Sequence, residues 1–130
     1  MNVPEYALEL LLAYDGRIHY LVSGNFLKFD VRVVEKSERV PHGIAYSLTL
    51  HDPDGTRILG FDNAHAVPHP GGRFVKPKVE ADHWHRTRGD DGRPYDFVSV
   101  EQLLEDFFTE AERTLQEQDV AFDFVEDKED

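Results

Sequence analysis

The chain has no cysteine, few basic residues and no long apolar run, and each absence excludes a class of protein. Without cysteine there are no disulfides, no thiolate metal ligands and no cysteine nucleophile. No segment approaches the roughly 20 apolar residues that span a bilayer, and the N-terminal stretch lacks the basic and apolar regions of a signal peptide. We therefore expect a cytoplasmic protein that makes no membrane contact.

The apolar content is sufficient for one core. The 130 residues are 40% hydrophobic, which is enough for one compact domain but too little for two. The sequence contains no internal repeat and no linker between domains. We therefore expect residues 1–130 to form a single domain, in which residues 126–130 fray.

The negative charge is concentrated at one end of the chain. A net charge of −12 argues against nucleic acid as a partner, because an acidic surface repels a polyanion. However, residues 99–130 hold twelve acids against Arg113 and Lys128, so −10 of the total lies there. Residues 73–93 reverse the balance, with six basic residues against four acidic ones. An acidic tail that keeps the protein soluble explains the total charge but not this separation.

The first half of the chain predicts an antiparallel meander. Turn signals at residues 15–16, 24–25 and 52–55 separate its segments. Between them, apolar and polar residues alternate as in half-buried strands, over residues 26–33, 44–50 and 56–61. The ambiguous part is residues 5–22, where Glu5 to Ala13 could begin a helix. Two strands joined across Asp15-Gly16 is the interpretation that we favour.

A long amphipathic helix is predicted over residues 99–118. Ser99 is suited to cap it, and Gln102 completes a capping box. Apolar residues then recur at helical spacing and form one stripe: Val100, Leu103, Leu104, Phe107, Phe108, Ala111 and Leu115. Residues 120–125 alternate like a short edge strand. The sequence therefore predicts an α+β fold, an antiparallel meander packed against one long C-terminal helix.

The stretch Asp82-His83-Trp84-His85-Arg86 concentrates side chains that handle protons. On a strand, His83 and His85 would point to one face and the other three residues to the opposite face. Residues 64–81, which precede it, contain three prolines and two glycines, so we predict a long functional loop that brings basic side chains to the histidine pair. Two imidazoles on one face can share a phosphate or a metal.

A metal site is one interpretation of this pair. Histidines two residues apart on a strand are a known spacing for metal binding, although the same spacing arises by chance. A zinc site built on His83 and His85 needs a further protein ligand, for which His65, His69, Asp62 and Asp82 are the candidates. We predict no cofactor, but a divalent metal is compatible with the sequence.

Metal-free cleavage of RNA is the alternative. It requires a base for the 2′-hydroxyl proton, an acid for the leaving 5′-oxygen and cations for the charged transition state. Histidine suits both proton roles and arginine suits phosphate, so we assign these parts to His83, His85 and Arg86. Asp82 or Asp62 would orient an imidazole, and Tyr95 would add a hydroxyl. For substrate binding the candidates are Trp84, as a stacking surface, with Lys76, Lys78 and Arg88. Packing alone is the competing interpretation for both aromatic residues, and for Trp84 it is the one that we favour.

Three ordered segments resemble the TumE-type toxins of bacterial toxin-antitoxin pairs. They are Leu59-Gly60-Phe61-Asp62-Asn63, then Asp82-His83-x-His85-Arg86, then Pro94-Tyr95-x-Phe97-x-Ser99-x-Glu101-Gln102-Leu103-Leu104-x-Asp106-Phe107. The resemblance covers roughly residues 43–115 and is weaker before Gly43. It implies a small cytoplasmic toxin that cleaves RNA and is neutralised by a helix-turn-helix antitoxin.

The resemblance also implies a set of signature residues. These are Asp62, Asn63, Asp82, His83, His85, Tyr95 and Phe97. It adds Asp62 and Asn63 to the predicted substrate-binding residues. Two features depart from the family's pattern: the long segment from Ala66 to Ala81 replaces a short approach containing glycine and lysine, and Trp84 stands where arginine is common.

The main hypothesis is therefore a ribonuclease toxin that uses histidine acid-base catalysis. Two alternatives remain at this stage. One is a binding module without catalysis, which would hold its partner through the acidic helix and the segment 120–125. The other is a metal-dependent phosphodiesterase built on the histidine pair.

Overall fold

The computed structural model describes residues 3–38, 40–63, 82–85 and 93–125. Within these residues six strands form one antiparallel sheet, in which their spatial order is the same as their order in the chain. The elements are α1 (Glu5–Leu12), β1 (Ile18–Tyr20), β2 (Phe26–Val33), β3 (Ile44–His51), β4 (Arg57–Asp62), β5 (His83–His85), β6 (Arg93–Pro94) and α2 (Val100–Glu117). This arrangement confirms the predicted α+β meander with its long C-terminal helix.

Alternation along β2 and β3 gives the sheet two different faces. Leu27, Phe29 and Val31 are buried on one side, together with their neighbours on β3, while Lys28 and Asp30 point to the other side and are exposed. Both helices pack on the buried side, which we call the helix face. We call the opposite side of the sheet the outer face.

Helix α2 covers the helix face with the predicted apolar stripe. Ser99 caps it, because its hydroxyl accepts a hydrogen bond from the Gln102 backbone N–H at 3.1 Å. The predicted capping box is wrong in one respect, because the Gln102 side chain does not accept from the Ser99 N–H and instead donates from Nε2 to Asp106 Oδ1 at 2.7 Å. In the described part of the chain, neither helix is both long and apolar enough to cross a bilayer.

The N-terminal segment is a helix, and the strand predicted there is wrong. Ala7 and Leu11 are buried, and Leu8 and Leu12 are partly buried against the same core. This spacing of three and four residues fits a helix that packs on one side, whereas a strand would bury alternate residues. Burial against α2 and β2 therefore decided a segment in which local signals were balanced.

The segment 120–125 forms a single bridge and not the edge strand that was predicted. Phe124 pairs with Leu21, and two flanking hydrogen bonds join Val22 to Asp123 and Val125 to Tyr20. Towards residue 120 the pairing goes no further, because the chain after Leu21 turns at residues 22–24.

Candidate functional site

Strand β5 carries the histidine pair between β4 and β6. His83 pairs with Asp62, Trp84 with Phe61, and His85 with Gly60. Because Phe61 is buried beneath α2, its partner Trp84 also lies on the helix face. Alternation therefore places residues 83 and 85 on the outer face. This arrangement separates the predicted site residues between the two faces of the sheet.

His85 and Asp62 form a pair on the outer face. His85 Nε2 lies 3.7 Å from Asp62 Oδ2, and the side chains of His85 and Asp62 are only 12% and 14% exposed. They come from adjacent strands and are brought together by the register of β4 and β5. This distance is too long for a hydrogen bond, so the contact is an electrostatic one, available when the imidazole is protonated.

His83 stands next to this pair in the sheet. The structure describes its backbone position, directly opposite Asp62. The predicted residues Arg86, Arg88, Lys76 and Lys78, and the possible metal ligands His65 and His69, lie outside the described residues. Their roles remain predictions.

Asp82 lies beneath the helix face in a network that does not include His85. Its carboxylate contacts His42 Nε2 at 3.0 and 3.1 Å and accepts a hydrogen bond from the Tyr46 hydroxyl. All three residues are buried. The sequence left open whether Asp82 or Asp62 orients an imidazole; Asp82 contacts His42, and Asp62 is the carboxylate beside His85.

The hydrogen bonds around His42 determine which ring nitrogen carries the proton. Nδ1 accepts from the Ile44 backbone N–H at 3.2 Å, so in the neutral ring the proton is on Nε2 and is donated to Asp82. Burial, and then the Asp82 carboxylate, raise the pKa of the Tyr46 phenol well above its ordinary value. Tyr46 therefore keeps its proton and donates it to Asp82.

This network holds the start of β5 against the rest of the sheet. His42 comes from the loop before β3 and lies forty residues from Asp82 in the chain. Tyr46 comes from the beginning of β3 and lies thirty-six residues from Asp82. The Asp82 backbone carbonyl also accepts from the Tyr95 N–H at 2.9 Å. Sequence reasoning missed His42, because no local motif marks a contact across forty residues.

Asn63 completes the end of β4. It is buried; its side-chain oxygen accepts from the Tyr46 N–H at 2.9 Å, and its amide group donates to the Ile44 carbonyl at 2.7 Å. The side chain thereby extends the pairing of β3 and β4 by one position. Asn63 fixes the backbone next to Asp62, so its side chain positions Asp62 at the end of β4.

Trp84 is packed between two other side chains. Its ring stacks on Phe61 with centroids 5.6 Å apart, and the Arg93 guanidinium lies 4.8 Å from its centroid. These contacts hold β4, β5 and β6 together on the helix face. A base could stack on Trp84 only where this packing leaves the ring accessible, on the side of the sheet away from His85.

Tyr95 also lies on the helix face. Its ring packs edge-on against Phe61, and its hydroxyl donates to Asp106 Oδ2 at 2.6 Å. Burial and this hydrogen bond raise the pKa of Tyr95 well above its ordinary value. A cavity of about 180 Å³ lies beside it, lined partly by Trp84 and Glu110. The described arrangement therefore does not bring the Tyr95 hydroxyl together with His85.

No metal centre is assembled by the residues that the structure describes. Among them, no three histidine or carboxylate side chains stand close enough to hold an ion. The pair of His85 and Asp62 supplies two possible ligands, and any further ligand would have to come from elsewhere in the chain. A metal site therefore remains a prediction.

The family model described as "Toxin TumE" matches residues 5–115. The chain belongs to the TumE toxin family. The match extends well before Gly43, where the motifs became weaker, and it includes α1 and the whole sheet. Neither a curated protein nor a solved structure matches the chain. Membership of this toxin family agrees with the resemblance found in residues 59–63, 82–86 and 94–107.

Proposed function

We propose that this TumE family toxin is a ribonuclease whose reaction takes place on the outer face at β4 and β5. The observation that carries the proposal is the pairing of His85 with Asp62, directly beside the register position of His83. With the imidazole of His83 added to His85 and Asp62, this position would supply the groups that acid-base cleavage of RNA requires.

In the proposed reaction, His83 and His85 divide the two proton transfers. One imidazole takes the proton of the ribose 2′-hydroxyl, and that oxygen attacks the adjacent phosphorus. The bond from phosphorus to the 5′-oxygen breaks, while the other imidazole protonates the departing oxygen. The products are a 2′,3′-cyclic phosphate and a 5′-hydroxyl. In this scheme Arg86 stabilises the phosphate charge, and Lys76, Lys78 and Arg88 contribute to RNA binding.

The two aspartates have different parts in this proposal. Asp62 stands 3.7 Å from His85, and in the proposed complex with RNA it closes on the imidazole and orients it. Asp82 acts through the backbone, because its contacts with His42 and Tyr46 hold the residue that precedes His83. Tyr95 and Trp84 then support the strand from the helix face, through Asp106 and Phe61.

The toxin would act in the cytoplasm and be held inactive by an antitoxin. A helix-turn-helix antitoxin is the partner that the family resemblance implies, and its basic DNA-binding surface would suit the acidic residues of 99–130. Membership of a toxin family supports an antitoxin partner in general; its type is part of the proposal.

Cleavage of RNA by the purified protein, with and without a chelator, tests the reaction. We expect wild-type cleavage to survive chelation and to leave 2′,3′-cyclic phosphate ends. His85→Ala and His83→Ala should each lose most of the activity, by about a hundredfold or more, and Asp62→Asn should lose less because it keeps the shape of the side chain.

His19→Gln is the matched control. His19 lies on β1, separated from β5 by three strands, so this variant should cleave RNA like the wild type. Loss of cleavage on chelation would favour the metal-dependent alternative. Absence of cleavage by the folded wild type would favour a binding role. Unchanged cleavage in both His83→Ala and His85→Ala would refute the proposed mechanism.

A further inference from the structure

The pairing of β3 and β4 is interrupted by a bulge that reorients Arg57. Leu50 pairs with Leu59, but the next pair along β3 is His51 with Arg57, so Ile58 is an extra residue. With regular pairing, Arg57 would share the buried face of Leu59. The bulge instead places it opposite His51, on the outer face. Bulges commonly redirect a side chain in this way beside functional sites.

The Arg57 side chain lies across the outer face of Gly60. A Cβ atom added to Gly60 would stand 3.0 Å from Arg57 Nη1 and 3.4 Å from its Cδ. Thr49, the partner of Gly60 on β3, borders the same space with its methyl group at 3.5 Å. Glycine at residue 60 thus makes room for the guanidinium.

This position is next to the histidine pair. Gly60 is the cross-strand partner of His85, and Asp62 follows two residues later on the same face. Side chains at directly paired positions stand about 5 Å apart at their Cβ atoms. Strands β3 to β5 contain no other arginine and no lysine. Arg57 therefore supplies positive charge beside His85 from a position built into the sheet.

We propose that Arg57 is a phosphate-binding residue of the outer-face site. The inference rests on the proposed function and adds a substrate contact to it: the guanidinium binds a phosphate oxygen of the RNA next to His85. The planar fork of arginine suits two oxygens of one phosphate. Gly60 has a structural part in this, because its missing side chain leaves the space that Arg57 Nη1 occupies.

Variants of Arg57 test this contact in two assays. The first measures kcat/KM for RNA cleavage, and the second measures the Kd for a 2′-O-methyl RNA oligonucleotide, which cannot be cleaved. We expect Arg57→Gln to lower kcat/KM by about a hundredfold. It should also reduce the slope of log Kd against log salt by about 0.7, the value for one lost phosphate contact on a single strand. Arg57→Lys should recover part of both losses.

Arg32→Gln is the matched control, since it removes the same charge from the same face two strands away. It should keep wild-type cleavage and the wild-type salt slope. An equal change in Arg32→Gln would attribute the effect to general electrostatic attraction and overturn the inference.

Gly60→Ala tests the position of the guanidinium while all charges remain. Gly60 is not among the glycines with positive φ, so alanine suits its backbone, and the folded state should persist with an unchanged or higher Tm. The added Cβ would displace Arg57, so we expect slower cleavage. Full activity in this variant would overturn the inference.

Failure of this inference can be distinguished from failure of the proposed function. If the wild type cleaves RNA and Arg57→Gln cleaves equally well, Arg57 is not a phosphate ligand and the ribonuclease proposal stands. If the wild type binds RNA without cleaving it, and the salt slope falls in Arg57→Gln alone, the phosphate contact stands and the ribonuclease proposal fails.

Discussion

At the scale of single residues, Asp82 and Asp62 differ in their partners and in the face of the sheet on which they lie. Asp82 contacts a histidine and a tyrosine that are distant in the chain, whereas Asp62 lies beside His85 on the outer face. The family resemblance implies both aspartates as signature residues, yet of the two it is Asp62 that shares a face with His85. Tyr46 and Tyr95 likewise each donate to a carboxylate, and both lie on the helix face.

The Tyr46 hydroxyl is expected to make stability depend on alkaline pH. Burial and Asp82 raise the pKa of this hydroxyl in the folded state. Its contribution to the free energy of unfolding is therefore complete below about pH 10, the pKa of an unfolded tyrosine, and is lost as the pH rises towards the folded-state pKa. In that window this group lowers the free energy of unfolding by up to about 1.4 kcal/mol per pH unit. Urea denaturation at several pH values between about 9 and about 11 measures this dependence. The free energy of unfolding of Tyr46→Phe should fall less steeply with pH than that of the wild type.

The control for general destabilisation is a core variant that retains the Tyr46 phenol. Leu50 is fully buried on the same strand, so Leu50→Ala should lose stability at every pH and retain the wild-type slope. An equal slope in Tyr46→Phe and the wild type would contradict the assigned role of the hydroxyl.

At the scale of elements, specific side-chain hydrogen bonds determine where β4 ends and where α2 starts. Asn63 extends the end of β4 next to Asp62, and Ser99 begins α2. The bulge in β4 has the converse effect, because it interrupts the pairing and moves Arg57 to the outer face. The end of β4 and its bulge thus position Asp62 and Arg57 on the outer face.

Removal of the Ser99 cap should destabilise the protein through α2. Its hydroxyl satisfies the Gln102 N–H, and replacing an N-cap serine by alanine typically costs about 1 kcal/mol. We expect Ser99→Ala to lower the denaturation midpoint without a change in m-value, and Ser99→Asp to restore it. Ser37→Ala, which removes an exposed loop hydrogen bond to Val40, should have a smaller effect. Equal loss in both variants would argue against capping.

At the scale of the whole molecule, α2 stabilises the sheet from the face opposite His85. Phe107 is completely buried and contacts the rings of Phe29 on β2 and Phe61 on β4, with centroids 5.7 and 5.9 Å away. Phe61 in turn lies under Trp84 on β5. A continuous set of aromatic contacts thus joins the helix to the strand that carries His83 and His85.

Truncation of Phe107 should destabilise the whole domain. We expect Phe107→Ala to lower the free energy of unfolding by about 3–5 kcal/mol, the usual cost of such a cavity. Phe108→Ala is the matched control, and it should cost clearly less because Phe108 is only partly buried. Chemical denaturation of both variants gives the comparison. Similar losses would show that the core does not depend on the contacts of Phe107.

Periodicity within the sequence predicted most of the regular elements. β2, β3 and α2 were located to within a residue or so, because a long amphipathic pattern has one arrangement that buries its apolar side. The pattern failed at α1 and at residues 120–125, where short segments satisfy two patterns and contacts distant in the chain decide between them. The alternation that places residues 83 and 85 on one face also followed from the sequence.

The sequence by itself determined the fold class, the family and the alternation around the histidine pair, because these depend on local spacing and on short motifs. Tertiary structure alone decided which groups meet. The register of β4 and β5 brought Asp62 to His85, packing brought His42 to Asp82, and the bulge turned Arg57 outward. Each of these contacts depends on how separate strands align, and a linear pattern of residues does not contain that alignment.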